Sequence, residues 1–569
     1  MKTKPRNSRS DSDRNLVLIA KNSYIWLSQL SEKYQKPIRH LDQIPIEELD
    51  WLKSFGINGL WLIGIWERSP ASYKIKQLYG HNELVASAYS INSYEIAQSI
   101  GGPKALELLK RNAQKTGVEL ACDMVPNHTG LDAPWLIDHP DWYISTDEKP
   151  KDEWLFNSPN LITNKKIEIS LEEGYYTQTG ASEVFRYSDQ RKNSKFYIYH
   201  GNDGTSMPWN DTAQLNYLNP MVREAVKNQI IKISKMFRII RLDAAMTLVR
   251  QHYRRLWFPQ TGEKKCVPTR ERFSMTQADF DRRMPDEFWA EVMKEIEDSS
   301  PDTLLLAEAF WLMERFFIED LGIHRVYNSA FMNNLRDEKN ASLRQYLMEI
   351  LNQNPTNLER FVNYLTTPDE QTAADLFGKS DKYFGACSLM AVLPGLPLFG
   401  HGQIEGLKEQ YGMDVPKPFL NESPDEDFFQ EHFRLISPLL LERDRFSSAE
   451  NLVLFDFHND RSDLDENVIV FINIVNGKKS LILFNNQRNP ISGYVGKARN
   501  KNDKLKEINN PLNHFLHLLN ISLEYNQIII LNDLQQCTTR DFTLREIEQS
   551  GLKISLPAYG FHAFDISCR

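Results

Sequence analysis

Five stretches of this chain are apolar almost without interruption and end in polar or charged residues: NGLWLIGIW (58–66), VELACDMVPNH (118–128), IIRLD (239–243), TLLLAEAFW (303–311) and LPLFGHG (396–402). Runs that do not alternate are buried on both faces, which is the mark of strands in a parallel sheet. Parallel neighbours need a crossover, usually a helix, between them. The crossovers are legible too: PIEELDWLKSFG from Pro45, closed by Gly56; an amphipathic run from Pro103 to Gly117; a helix capped by Asn219 with Pro220 at its first position; DEFWAEVMKEIED; and an apolar helix including 383–393. NSYIWLSQL (22–30) reads as a first strand, HRVYNSAF from His324 as a sixth and ERFVNYLTTPDE (359–370) as a seventh. Eight strands alternating with helices predict an α/β fold, a (β/α)8 TIM barrel.

The barrel pattern occupies 21–415. It lapses into an irregular insert after the third strand, from about Thr129 to Leu218, and again over about 251–284; inserts of that length shape sites. Residues 416–450 read as linker and helix. From 451 to 569, short β-rich runs (LVLFDF, VIVFINI, SLILFNN, QIIILN) separated by turn residues predict a C-terminal antiparallel β-sandwich domain. Residues 1–20 read as a disordered polar tail, and RNKNDKLKEINN from Arg499 as a solvated loop.

The net charge of -9 is spread over well-mixed signs, so no basic stripe invites nucleic acid. No apolar run approaches the ~20 residues that span a bilayer, and LVLIA (16–20) is too short for a signal h-region. The expected location is cytoplasmic, with no membrane partner. Cys122, Cys266, Cys387, Cys537 and Cys568 are scattered and odd in number, which suggests neither a disulfide framework nor a zinc site.

The polar strand ends carry the chemistry. Arg241 and Asp243 are two apart on a strand and share a face. A carboxylate beside a guanidinium stays ionised, as a carboxylate nucleophile must, although a single such pair taken alone is more often a structural ion pair. In a barrel, catalytic groups come from the C-terminal ends of several strands. Here Asp123 and His128 follow the third strand, Glu308 the fifth and Asp369 the seventh. Glu308 lies between Ala307 and Ala309, next to Phe310 and Trp311, and apolar surroundings raise a carboxyl pKa towards that of a general acid. Two carboxyl groups about 5 Å apart, one a nucleophile and one an acid that later acts as base, are what a retaining glycosidase needs.

DMVPNH (123–128), RLDAA (241–245), AEAFW (307–311) and TTPDE (366–370) resemble, in order and spacing, the four motifs of the α-amylase superfamily, glycoside hydrolase family 13. GLPLFGHGQIEG at the eighth strand and TAQLNYLNP before the fourth are similar as well. The resemblance implies a barrel with an inserted B domain at 127–216. It implies Asp243 as nucleophile, Glu308 as acid/base, Asp369 as stabiliser of an oxocarbenium-like state, Arg241 as the group orienting Asp243, and His128, with Tyr89 and Asp123, among the substrate-binding residues. The implied substrate is an oligosaccharide or α-glucan, with no cofactor required. A calcium ion is common in the family, bound partly by the Asn of the first motif, here Asn127.

Departures from the family pattern bear on specificity. Pro368 stands where the family usually has His, Met246 and Thr247 where Lys-His is common, and Ala88-Tyr89-Ser90 where Gly-Tyr-Asp is usual. The Thr-Pro-Asp variant looks like that of maltosyltransferases of the superfamily, which use a sugar phosphate donor. The leading expectation is a retaining α-glucoside hydrolase. A glycosyltransferase or phosphorylase is the alternative, and a catalytically silent carbohydrate-binding protein is a third.

Overall fold

A computed structural model describes residues 11–164, 166–204, 207–260, 262, 268–310, 312–498 and 527–569. The first ten residues, Cys266, Trp311 and the cluster from Arg499 lie outside the described residues.

Eight parallel strands close into a barrel: β1 Leu18–Asn22, β2 Gly59–Ile63, β3 Glu119–Met124, β4 Ile239–Leu242, β5 Leu304–Ala307, β6 Arg325–Tyr327, β7 Phe361–Tyr364 and β8 Leu396–Phe399, with β1 hydrogen-bonded to both β2 and β8. The (β/α)8 expectation holds, but its first strand was misplaced. The strand is the apolar run before Asn22, and the segment read as a strand is the helix Ser23–Lys33. The Asn22 side chain caps that helix by accepting the Ile25 N–H, and Ile25, Trp26, Leu27 and Leu30 face inward while Ser28 and Gln29 do not, a helical repeat. The expected disordered tail is likewise ordered from residue 11. Asp13 accepts two bonds from Arg238 at 2.7 Å, and Leu16 to Ala20 enter the core.

Alternate residues of the strands fill the barrel interior: Leu18 and Ala20, Trp61 and Ile63, Ala121, Ile239, Leu304 and Leu306, Tyr327, Val362 and Tyr364, Leu396 and Leu398 form one buried cluster. Gly56 ends the helix Ile46–Phe55 with φ 99, and a Cβ there would lie 2.7 Å from the Leu440 Cβ.

The first insert is not irregular. Ile167–Leu171, Val184–Asp189 and Ser194–Tyr199 pair, with Ser145–Thr146, into a four-stranded antiparallel sheet; Thr212–Gln214 pairs with His128–Gly130. The second insert contains the helices Arg250–Trp257 and Gln277–Arg283. No helix among the described residues is long and apolar enough to cross a membrane.

The C-terminal region is an eight-stranded antiparallel sheet whose strands keep one face for a core of their own (Phe455, Val470, Leu483, Leu531, Ile554, Phe564) and turn the other (Leu454, Phe471, Ile482, Phe484, Phe561) towards the barrel. The helix Asp381–Val392 lies between the two bodies and is buried from Tyr383 to Val392, which explains its apolar character all round. Arg344 fastens the junction by an ion pair with Asp456 at 3.0 Å and a bond to the Val468 carbonyl at 2.8 Å.

Gly385 sits at the tightest point of this contact, where an added Cβ would meet Phe484 at 2.4 Å and the Tyr559 carbonyl at 2.5 Å. Gly385→Ala is expected to cost about 1–3 kcal/mol by overpacking. Thermal denaturation should show a lowered Tm or a split transition as the sheet separates from the barrel, whereas Gly180→Ala, where the nearest atom to an added Cβ is 3.7 Å away and φ is not left-handed, should leave a single transition at an unchanged Tm.

Candidate active site

Strand register brings the polar residues together. In the parallel ladder Arg241 is level with Asp123 on β3 and Leu306 on β5, so Arg241 and Asp123 point side by side into the barrel. The ladder runs one residue past the strands, the Asp243 N–H donating to the Met124 carbonyl at 2.9 Å and the Glu308 N–H to the Leu242 carbonyl at 3.0 Å. Asp243 and Glu308 are thereby placed at the same mouth.

One guanidinium organises the cluster. Arg241, 1% exposed, binds Asp243 through Nη1 and Glu308 Oε2 through Nη2 at 2.8 Å; Asp123 lies 3.5 Å from Nη1 and Asp369 3.9 Å from Nη2. Its Nη1 also donates to the Tyr89 hydroxyl at 3.3 Å, and the rings of Trp61, Tyr89 and Tyr327 surround it with centroids 5.4–6.0 Å away. The sequence-predicted Arg241, Asp243, Glu308, Asp369, Asp123 and Tyr89 therefore form a single cluster. Asp369 is at its rim, with a side chain 52% exposed.

Three buried carboxyl groups, Asp123, Asp243 and Glu308, share one cation, with Asp369 adding negative charge from the rim, an arrangement that disfavours ionising all of them. Burial pushes Glu308 up to about 8, Arg241 opposing and Asp243 adding to the rise. Burial likewise raises Asp123 to about 7, again against Arg241. The Ala244 N–H donates to Glu308 Oε2 at 2.7 Å. Ala244 reaches that position with φ 42, a left-handed conformation unusual for a residue with a Cβ.

His128 is buried with its ring 5.0 Å from that of Trp209; Nε2 lies 3.3 Å from the Tyr89 carbonyl and Nδ1 3.5 Å from the Asn127 amide. Burial lowers it to about 4, so it is neutral. It supports the Tyr89 backbone from behind. Ser90, which stands where the family usually has Asp, is fully buried and donates to the Asp211 carbonyl at 2.7 Å. Met246 and Thr247 are buried as well, the Thr247 hydroxyl bonded to the Ala244 carbonyl. His81 is exposed and stacks on Tyr79.

Asn127 does not suit a hard cation. Its amide pairs with that of Gln214, each donating to the other at 3.0 Å, so its oxygen is taken up by an N–H donor where a calcium ion wants six or more oxygens. No group of three His, Cys, Asp or Glu side chains among the described residues is arranged to hold a metal.

A ring of aromatic donors steadies the loops beneath the carboxylates and is absent from the sequence reading. Trp66 donates to the Asp123 carbonyl at 2.7 Å, Tyr94 to Val125 at 2.8 Å, Tyr217 to Pro126 at 2.6 Å and Trp289 to Ala245 at 2.8 Å. Their shared signal is an aromatic residue with a polar tip inside an apolar run, which buries its ring and seeks a partner. Two larger hollows, about 260 Å³ beside Tyr143, Phe196 and Phe258 and about 460 Å³ between 338–342 and 464–467, contain none of the cluster's residues.

A family model described as the catalytic domain of alpha amylase matches residues 41–382. "Alpha-amylase 3" of Dictyoglomus thermophilum is 24% identical over 68% of this chain, which spans 62% of that relative's length. Among solved structures, a noncanonic maltogenic alpha-amylase of Thermotoga neapolitana aligns over 97% of this chain and 99% of its own with 15% identity and a TM-score of 0.59. A trehalose-6-phosphate hydrolase of Bacillus licheniformis aligns over 98% and 99% with 14% identity and a TM-score of 0.60.

The raised Glu308 carboxyl has a consequence for stability. It titrates near 8 in the native chain against an ordinary value of 4.5, so between these values the native state holds a proton that the unfolded state has lost. The contribution is complete below about 4.5 and disappears as pH rises through 8. Glu308→Gln, neutral at every pH, should keep it. Calorimetric Tm values of the variant and parent should be close at pH 5, with the variant increasingly the more stable towards pH 9.

Proposed function

Because the chain belongs to the alpha-amylase catalytic-domain family, we propose that it acts on α-linked glucosides by a retaining double displacement at the Arg241 cluster. The observation that carries this reading is the sharing of one guanidinium between Asp243 and Glu308, one terminal nitrogen to each, which brings two carboxyl groups together on one sugar-sized centre.

The roles follow from charge. Asp243, bound to the Arg241 cation, is the nucleophile: its carboxylate oxygen forms a bond to the anomeric carbon as the bond to the leaving oxygen breaks. Glu308 gives its proton to that oxygen, which departs neutral. The Glu308 carboxylate then takes a proton from an incoming water or sugar hydroxyl, whose oxygen bonds to the anomeric carbon and releases Asp243. Asp369, half-exposed at the rim and 3.9 Å from Arg241, supplies negative charge to the positive sugar ring between these states. Retention of this kind calls for about 5 Å between the two carboxyl groups.

Transfer to a non-water acceptor is a second reading, favoured by the altered sugar-contacting positions. Pro368 has no side-chain donor and the Ser90 hydroxyl is turned away into the insert, so two polar contacts to a glucosyl unit are missing, of about 1.5–3 kcal/mol each when one partner is charged.

Two measurements test these proposals. Asp243→Asn should lower kcat/KM by roughly 10³-fold or more, about 4 kcal/mol of barrier, with an unchanged circular dichroism spectrum; near-normal turnover refutes the assignment. Soluble starch should have a lower kcat/KM than the best of maltose, sucrose, trehalose and maltose 1-phosphate, with product chromatography separating hydrolysis from transfer. A tenfold preference for starch, about 1.4 kcal/mol, refutes the shifted specificity.

A further inference from the structure

A chain of buried polar groups runs from an outer helix of the barrel to the base of the turn that carries Asp369. It starts at His432 on the helix Glu426–Leu435, fully buried, with Nδ1 3.0 Å from the Phe428 carbonyl. A carbonyl can only accept, so Nδ1 carries the hydrogen. Burial lowers this imidazole to about 4, so it is neutral and its Nε2 is an acceptor. The Tyr383 hydroxyl, on the helix Asp381–Val392, donates to that nitrogen at 2.8 Å and accepts in turn from Gln403 Nε2 at 3.1 Å. Gln403 Oε1 takes the Gly400 N–H at 2.9 Å. Each hydrogen of the chain thus has one direction, and amide, hydroxyl and imidazole orient one another.

The chain ends where the Asp369 turn begins. β7 and β8 are neighbours, with Tyr364 level with Leu398, so the segments that leave them are adjacent. In the segment after β7, the Thr366 hydroxyl donates to the Gln371 carbonyl at 2.7 Å and the Glu370 N–H to the Thr367 carbonyl at 3.2 Å, which closes 366–371 into one turn with buried Thr366 at its base. Gly400, the first residue after β8, rests on that base: an added Cβ would meet the Thr366 Cγ2 at 2.6 Å. The outer end is anchored as well. Gln535 of the C-terminal region donates to the Ser388 hydroxyl and to the Leu435 carbonyl, both at 2.8 Å, and so bridges the two helices that carry Tyr383 and His432.

Folding alone does not call for these polar groups, since replacing both partners of a buried hydrogen bond by apolar groups of the same shape is nearly neutral. What a fully connected polar chain adds is a unique geometry. Asp369 has need of one. Asp123 lies on β3, and Asp243 and Glu308 are held by bonds that continue the ladder, whereas Asp369 is five residues beyond the end of β7 and its 3.9 Å from Arg241 exceeds hydrogen-bond distance. We propose that Gln403, Tyr383 and His432 are positioning residues for Asp369: they fix the backbone at Gly400, on which the turn carrying that carboxylate is seated. This rests on the retaining reading above, in which Asp369 faces the positive sugar ring, and adds what holds it there.

The test is Tyr383→Phe in the full chain, which removes one hydroxyl and keeps the ring. With the best of the small substrates named above, kcat should fall about tenfold or more while KM stays within about twofold, because the sugar ring is charged only in the transition state. The inhibition constant of 1-deoxynojirimycin, whose ring nitrogen takes up a proton, should rise about tenfold, and that of its neutral counterpart 1,5-anhydroglucitol should not move. A hydroxyl that merely stabilised the fold would lower the Tm and leave the ratio of the two inhibition constants alone, so an unchanged ratio overturns the proposal. In the Asp369→Asn chain, Tyr383→Phe should lower kcat no further, and additive losses overturn the proposal too. Should Tyr383→Phe fail to fold, Gln403→Met, similar in length and unable to make either bond, is read in the same way. Asp369→Asn alone separates the two levels. If it lowers kcat and Tyr383→Phe does not, the positioning chain falls and the glycosidase reading stands; if it leaves kcat unchanged, the role given to Asp369 falls and the positioning chain with it.

Discussion

The site depends on a single buried cation. A guanidinium at 1% exposure is costly to desolvate, and attraction to its partners offsets that cost only where the geometry is good. Here the partners outnumber it, with four carboxyl groups around one Arg241. The surplus of acid is resolved by protons, and its distribution divides the roles. Asp243 takes the bond to Nη1, and burial pushes Glu308 and Asp123 towards the neutral form.

The barrel supplies this arrangement through register. Arg241 and Asp123 are partners across a parallel ladder, and the carboxylates that follow are held by main-chain bonds continuing the ladder past its formal end. Their positions therefore derive from the most rigid part of the fold, as a preorganised site requires. The aromatic donors Trp66, Tyr94, Tyr217 and Trp289 extend the rigidity outward by holding the carbonyls of the turns.

Much of this was legible in the sequence because period and composition carry it. The non-alternating apolar runs specified buried parallel strands, and the RLDAA, AEAFW and TTPDE stretches placed three carboxylates at their ends. The first strand was missed because Leu18–Asn22 is short and Ser23–Lys33 is rich in apolar residues; only the capping of Ile25 by Asn22 shows where strand becomes helix. The insert's sheet was missed because its strands are short and their buried residues do not follow a strict alternation. Nothing local to Ser90 reveals that its hydroxyl turns towards Asp211, and nothing local to Met413 reveals that its carbonyl meets Ala88 and Arg68. Both are long-range contacts, which exist only once the barrel has closed.

That closure has a timing of its own. β1 pairs with β8 through Leu18 and Leu398, so the first strand to leave the ribosome meets its second neighbour only after about 380 further residues, roughly 20–75 s at 5–20 residues per second. During that interval one edge of β1 stays unpaired, and the helix that includes Gly385 has its own, shorter wait until Phe484 and Phe561 are made. Edges and apolar faces left uncovered invite wrong partners. The interval between making Leu18 and making Phe561 is therefore when the chain presents its longest-lived unpaired edge and uncovered apolar face, well before any sugar has reached Arg241.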